Sequence, residues 1–258
     1  MKYLIRYSCS SHTGKVRSMN QDNFICEGKY MDEDNEPFTF PLTGILTPDP
    51  PVMIGVFDGM GGEECGEIAS LIAAGCAAET SFGSDPLDDL LVYCRTANER
   101  ICDYASENGI MEMGTTAAIL VFDKTGISLC NIGDSKIFRF ADRMLEQIST
   151  DHYAAAPHGA KPPLSQNLGI PAAEMIIEPH IARGRYNAGD LYLICSDGLT
   201  DMVTEEAITR ILTETEFDGC VNMLQKTALE NGGRDNVTII LCRIERKRIN
   251  LFRRTMGG

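Results

Sequence analysis

VMIGVFDGMGG, residues 52–62, carries an apolar run straight into an aspartate set among glycines. Val52–Phe57 reads as a strand, because β-branched and aromatic residues fill it and turn-forming residues bound it. Beyond the glycines the period changes. In Glu63–Thr80 the residues Ile68, Leu71, Ile72, Gly75 and Cys76 recur at helical spacing, which predicts a helix with one buried face. A strand that delivers Asp58 into a turn holds its carboxylate rigidly. The adjacent glycine lets the backbone turn sharply or offer a carbonyl at close range. One Asp-Gly after a strand is most often only a turn, so the meaning of this segment depends on its surroundings.

On the N-terminal side, Lys2–Ser10 and Asp22–Glu27 read as strands. Pro37, Pro41, Pro48, Pro50 and Pro51 make residues 28–51 a long loop or ragged hairpin, in the position of an insertion. On the C-terminal side, Ser84, Asp85 and Pro86 supply an N-terminal cap and a first-turn proline for a second helix. Its stripe of Leu87, Leu90, Leu91, Cys94, Ala97, Ile101 and Ala105 stays apolar until Gly109. Thr115–Asp123, Gly126–Ile132 and Lys136–Phe140 are β-rich runs parted by the turns DKTG and GDS, a pattern expected of an antiparallel meander in a second sheet or at a sheet edge. Asp190–Cys195 and Asn236–Ile244 predict two more strands. Glu205–Glu214, started by Thr204, and Asp218–Asn231 predict two more helices. The class is mixed α and β, with no internal repeat at a fixed period.

The arrangement at Asp58 recurs. NIGDSK places Asp134, LICSDGL places Asp197 and GGRDNVT places Asp235 at or near the end of an apolar run beside glycine. Carboxylate and carbonyl oxygens without a histidine partner are hard ligands, which select Mg²⁺ or Mn²⁺ over zinc. Two such ions roughly 3.5–4 Å apart, sharing a carboxylate and a water, make hydroxide available near neutral pH and neutralise phosphoryl oxygens. Phosphate ester hydrolysis needs both. KVRSMNQDNF adds Arg17 and Asp22, five residues apart at the start of a strand; a guanidinium grips phosphate in a bidentate way that lysine cannot. Thr115 and Thr116 have no activating base beside them in sequence and read as sheet residues hydrogen-bonding near the site. His152 and His180 read as loop or core histidines.

A chain of 258 residues with a hydrophobic fraction of 43% is long enough for one large domain with a sizeable core. Its formal net charge of −14 excludes broad nucleic-acid binding, because a polyanion would be repelled. Ten cysteines run from Cys9 to Cys242 without a CxxC pair, several inside apolar runs, which predicts reduced thiols and a cytoplasmic protein. The opening KYLIRYSCSS has no signal-peptide pattern. No segment approaches the roughly 20 apolar residues of a membrane-spanning helix.

VRSMNQD (Val16–Asp22), FDGMGG (Phe57–Gly62), GTTA (Gly114–Ala117), IGDSK (Ile132–Lys136), TDH (Thr150–His152), CSDGL (Cys195–Leu199) and GGRDNVT (Gly232–Thr238) follow one another across nearly the whole chain. In that order they resemble the PPM or type 2C family of metal-dependent protein serine/threonine phosphatases, in its bacterial form. The resemblance implies an α+β fold, a four-layer α-β-β-α sandwich of two antiparallel sheets flanked by helix pairs, with the metal centre in a cleft at one end. It implies a single catalytic domain over residues 1–245 and a basic tail over 246–258. By position, Asp58 would bridge two divalent cations, Mn²⁺ or Mg²⁺. The Gly59 carbonyl would ligate one of them, and Asp197 with Asp235 would complete the other. Asp22 would act through bound water, Asp134 would help hold a third ion, and Arg17 would grip the substrate phosphate. The implied reaction removes phosphate from phosphoserine and phosphothreonine in protein substrates of a serine/threonine kinase. It proceeds by a metal-bridged hydroxide without a covalent intermediate, in a monomer.

Three departures accompany the resemblance. Met60 stands where some members carry a histidine proposed as general acid; methionine cannot donate a proton, so the leaving group would take one from water at the metals. Only Tyr153–Pro163 separates TDH from LSQNLG (Leu164–Gly169), the stretch resembling the family's LTRALG, so the flap near residues 151–165 is expected to be short and the cleft open. The insertion at 28–51 is longer than a tight family hairpin and is expected to cover one side of the domain. A catalytically silent scaffold or phosphoprotein reader is the alternative function, and intact Asp58, Asp197 and Asp235 argue against it. The open cleft keeps a small-molecule phosphatase as a third reading. The basic segment Glu245–Arg254 reads as a packed or disordered terminus without a partner or membrane role.

Overall fold

The strand around Asp58, β4 (Val52–Met60), buries residues on both of its faces: Ile54 and Val56 enter one core, Met53 and Phe57 another. Side chains alternate along a strand, so a run apolar at every position must be covered on both sides. The computed structural model, which describes residues 3–32, 40–60, 65–156 and 162–247, shows what covers it. Beside β4 lie β2 (Asp22–Cys26) and β6 (Ala117–Phe122), then β7 (Ile127–Ile132) and β10 (His180–Gly184), while the two-residue β5 (Gly114–Thr115) pairs with the end of β4. The facing sheet runs β3 (Leu42–Leu46), β1 (Tyr3–His12), β12 (Val237–Arg246), β11 (Leu191–Cys195), β8 (Lys136–Ala141) and β9 (Met144–Gln147). All the pairings are antiparallel.

Between the sheets, Tyr7, Phe24, Val56, Leu120, Tyr192 and Ile240 are buried together. The outer face of the β4 sheet packs on α1 (Gly66–Glu79) and α2 (Pro86–Asn108). The outer face of the other sheet packs on α4 (Glu205–Glu214) and α5 (Phe217–Glu230), with the short α3 (Asp197–Thr200) at its end. β12 serves both layers, with Ile240, Cys242 and Ile244 inward and Val237, Ile239 and Leu241 outward. Each such side chain contributes roughly 1.5–3 kcal/mol relative to exposure. The result is the expected α-β-β-α sandwich with helices on both outer faces. Among the described residues no helix is long and apolar enough to cross a membrane.

The second helix begins and ends as its sequence predicts. The Asp85 carboxylate accepts from Leu87 N at 2.9 Å, Pro86 opens the first turn, and Gly109 closes the helix in the left-handed region at φ 67°.

The three β runs after it do not form one meander. β6 and β7 pair, but β8 crosses to the other sheet and pairs with β11 and β9. An alternating apolar strand fits either sheet equally, and the crossing is made by Gly133 at φ 100° followed by Asp134 and Ser135. The first of those runs also breaks at Thr116, between β5 and β6. Among the described residues of the insertion at 28–51, Leu42–Leu46 forms a strand that pairs with β1 of the facing sheet rather than a hairpin of its own, and Phe40 and Leu42 pack on the inter-sheet core. In the flap, the described residues form a narrow hairpin, with Ala154 N donating to Pro163 O at 2.9 Å and Ser165 N to His152 O at 3.0 Å. Residues 248–258 of the basic tail lie outside the described residues.

Candidate metal centre

Antiparallel pairing of β2 with β4 sets Asp22 directly opposite Asp58. Asp58 lies inside β4, which runs on to Met60, so its backbone is held by neighbours on both sides. Its N–H donates to Thr116 Oγ1 at 3.0 Å, and its carbonyl accepts from Thr116 N at 2.9 Å and Thr115 Oγ1 at 3.0 Å. Thr116 Oγ1 is in turn bonded to Ser135 Oγ at 2.7 Å. Thr115 and Thr116 thus hold the site, as their sequence context suggests, and Ser135 extends the clamp to the residue after Asp134.

Asp22 is 2% exposed, and its Oδ2 accepts from Ser196 Oγ at 2.8 Å. Ser196 Oγ also accepts from Thr238 N at 3.0 Å, so Asp22 is fixed by two residues of the opposite sheet. Asp22 Oδ1 is buried with no hydrogen-bond partner. Burial, with Asp197 and Asp235 nearby, pushes the Asp22 carboxyl up from 3.8 to about 7. Asp58 keeps partial solvent access at the cleft floor, yet its carboxyl is pushed well above the usual range, by loss of surrounding water first and then by Asp22, Asp197, Asp134 and Asp235. Five carboxylates from both sheets therefore feel one another.

Arg17 lies at the rim. Its guanidinium donates to Asp235 Oδ2 at 2.8 Å, and that bond, with Asp235, Asp58 and Asp197 nearby, raises its pKa further. The loop that carries it is tied down by Asn236, whose Nδ2 donates to Thr13 O at 2.8 Å and Met19 O at 2.9 Å while its Oδ1 accepts from Gln21 N at 2.8 Å. Asp134 is 6% exposed and accepts from the Tyr153 hydroxyl of the flap at 3.3 Å. Gly59 sits in a crevice where a Cβ would lie 2.1 Å from Gly66 O and 2.4 Å from Gln21 O, so only glycine lets β4 pass there. His152 and His180 have structural partners: His152 N donates to Gly133 O at 3.0 Å, and His180 Nδ1 accepts from Thr150 N at 3.2 Å.

All the sequence-predicted site residues gather at this end of the sandwich. The sequence reading missed Ser196, Thr238, Ser135 and Asn236, each a small polar residue one to three positions from a site aspartate. Among the described residues, no three His, Cys, Asp or Glu side chains stand as a ready-made ligand group; Asp235 is engaged by Arg17. The chemistry of the donors nonetheless fits a hard divalent cation: carboxylate oxygens without histidine, a buried Asp22 oxygen with no partner, and carboxyls whose ionisation is opposed by burial.

The protein phosphatase 2C profile matches residues 46–231. The chain belongs to the protein phosphatase 2C family. Asp58, Asp134 and Asp197 fall inside the matched span, and Arg17, Asp22 and Asp235 flank it. Among individual relatives in the family, the chain is 28% identical to the serine/threonine protein phosphatase PstP of Mycobacterium tuberculosis over 92% of its own length and 45% of PstP. It therefore spans about half the length of that relative. It is 27% identical to the serine/threonine phosphatase stp of Listeria welshimeri, over 88% of this chain and 91% of the other. A crystal structure of the catalytic domain of PstP in complex with two manganese ions superimposes with a TM-score of 0.77 at 28% identity, covering 94% of this chain and 99% of that one. The protein phosphatase 2C fold is thus shared over nearly the whole length described.

Proposed function

We propose that the protein is a metal-dependent phosphatase that hydrolyses phosphoserine and phosphothreonine in proteins. The observation that carries the reading is the convergence of Asp22, Asp58, Asp134, Asp197 and Asp235, with the carboxyls of Asp22 and Asp58 raised against ionisation by burial and by their acidic neighbours, and with a guanidinium at the rim. Family membership and a relative bound to two manganese ions support it.

Asp58, Gly59, Asp197 and Asp235 would hold two divalent cations, Mn²⁺ or Mg²⁺, with Asp22 contributing through water and Asp134 at a third position. When bound, the cations supply an activated water and neutralise the phosphoryl oxygens. The protein's part is positional. The Thr115, Thr116 and Ser135 clamp fixes Asp58 within β4, and Ser196 fixes Asp22. Arg17, held near Asp235, swings its two donor edges onto the phosphate ester as substrate enters. Met60 has no proton to give, so the leaving serine or threonine oxygen takes its proton from solvent. The clamp hydroxyls of Thr115, Thr116 and Ser135 are committed to the Asp58 backbone and to one another, with no base beside them to activate a nucleophile, so hydrolysis occurs in one displacement, without a covalent intermediate.

Hydrolysis of p-nitrophenyl phosphate and of a phosphoserine peptide, with and without Mn²⁺, tests the reading. Turnover should require the cation and vanish in Asp58→Ala. Metal-independent turnover, or full activity in the variant, refutes the mechanism. Cation binding without turnover of any phosphoester leaves the silent scaffold, and turnover of sugar phosphate in preference to phosphopeptide leaves a small-molecule phosphatase.

A further inference from the structure

β5 pairs with the end of β4 so that Met60 faces Gly114, two residues along the strand from Asp58. Just there a cavity of about 320 Å³ opens between the residues that follow α2 and the segment after the flap. Gly114 lets the two walls meet at its edge: a Cβ at that position would lie 2.3 Å from Asn167 Nδ2 and 2.6 Å from Leu168 O. Leu168 exchanges two backbone hydrogen bonds with Thr115, at 2.9 and 3.0 Å, which fixes the far wall to the wall that holds Asp58.

The lining has two chemistries. Met60, Met113 and Ile170 give an apolar floor, and the exposed Met111 stands at its rim, with thioethers that adapt to an inserted chain. Glu112 and Glu174 stand exposed on it, and among the described residues the lining contains no lysine, arginine or histidine. An aliphatic stem ending in a cation matches both parts, with the methylenes on the methionines and the charged head at the carboxylates. Two residues of strand span about 7 Å, the spacing between alternate side chains of an extended peptide. A peptide with its phosphate at Asp58 would therefore bring a nearby side chain to this cavity.

We propose that this cavity is a substrate subsite that takes a lysine or arginine side chain flanking the phosphorylated residue. The proposal rests on the phosphatase reading and names its preferred substrates: phosphoproteins with a basic residue within about two positions of the phosphate, the reach of that strand spacing. The charge of Glu112 and Glu174 sets the preference, and the methionines set its tolerance for either cation.

The test uses phosphoserine peptides with Arg, Ala or Glu placed one or two residues to either side of the phosphate. Turnover is measured with Mn²⁺, and binding by fluorescence anisotropy. An exposed ion pair is worth up to about fivefold, so an arginine peptide at the favoured position should bind and turn over about two- to fivefold better than the alanine peptide. Glu112→Gln/Glu174→Gln should abolish that preference while sparing the alanine peptide. Glu205→Gln/Glu214→Gln, on α4 against the other sheet, removes the same charge and should keep the preference. A native protein without the preference, a preference that survives in Glu112→Gln/Glu174→Gln, or its equal loss in the α4 variant overturns the proposal. Equal turnover of all peptides refutes the subsite and spares the phosphatase reading. No turnover, with a binding preference lost only in the Glu112/Glu174 variant, does the reverse.

Discussion

Asp22→Asn should stabilise the metal-free protein above pH 7 and leave it unchanged near pH 4. The carboxyl of Asp22 is 2% exposed, has one hydroxyl donor on Oδ2 and nothing on Oδ1, and is pushed up from 3.8 to about 7, by burial first. In the unfolded chain it ionises at the lower value. Between the two values the folded state therefore binds more protons than the unfolded state, and stability falls as pH rises through that window. About three pKa units at ~1.4 kcal/mol each set an upper bound of about 4 kcal/mol, shared in part with Asp197 and Asp235. Asparagine keeps the shape without the charge: its carbonyl can retain the Ser196 bond, and its NH₂ then offers donors to the neighbouring carboxylates. Urea unfolding in EDTA from pH 4 to 9 measures the difference. The gap between variant and native protein should open from pH 4, reach its full size near pH 7 and stay level above it. Parallel curves, or a gap that widens toward acid, refute the reasoning. With Mn²⁺ at a hundred times its Kd, the native protein gains about 2.7 kcal/mol by linkage and Asp22→Asn gains less.

Three further substitutions probe the same end of the sandwich. Thr116→Val removes the hydroxyl that pairs with Asp58 N and Ser135 Oγ, and should cost about 1–3 kcal/mol in urea unfolding, with lower activity as Asp58 loosens. Arg17→Lys loses the bidentate grip and should raise KM for a phosphopeptide about tenfold with a smaller change in kcat; a loss of stability with KM unchanged would assign Arg17 to holding Asp235 alone. Gly198→Ala would set a Cβ 1.9 Å from Asn236 O, and should cost about 1–3 kcal/mol by forcing α3 away from the start of β12, with weaker Mn²⁺ binding by calorimetry.

Elements with strong local punctuation were legible from the sequence. The cap at Asp85, Pro86 and the left-handed Gly109 bracket α2, and Thr204, whose Oγ1 accepts from Ala207 N at 3.3 Å, starts α4 where expected. The short edge strands were not. β9 follows a turn whose Asp142 and Arg143 both take positive φ, 52° and 65°, where glycine or asparagine is the usual signal of a hairpin. His180–Gly184 has too few apolar residues to announce a strand and forms one by pairing with the edge of β7. Asp58, Asp134, Asp197 and Asp235 stood out because glycine lies within two residues of each. Ser196, Thr238 and Asn236 did not, because a lone polar residue at a strand end has the same appearance whether it caps a turn or fixes a carboxylate.

What no local pattern could show is how the two sheets divide the site. Asp22 and Asp58 come from the β4 sheet, Asp197 follows β11 and Asp235 precedes β12 in the other, and Asp134 lies in the crossing from β7 to β8. The Ser196 to Asp22 bond joins the two sheets at this end. Carboxylates that repel one another across such a seam oppose its closure, and a cation held from both sides would offset that repulsion and draw the sheets together. The centre therefore depends on inter-sheet packing as much as on its ligands. Binding of a cation there and stability of the sandwich would then act through one coordinate, the separation of the two sheets at the Asp22 end.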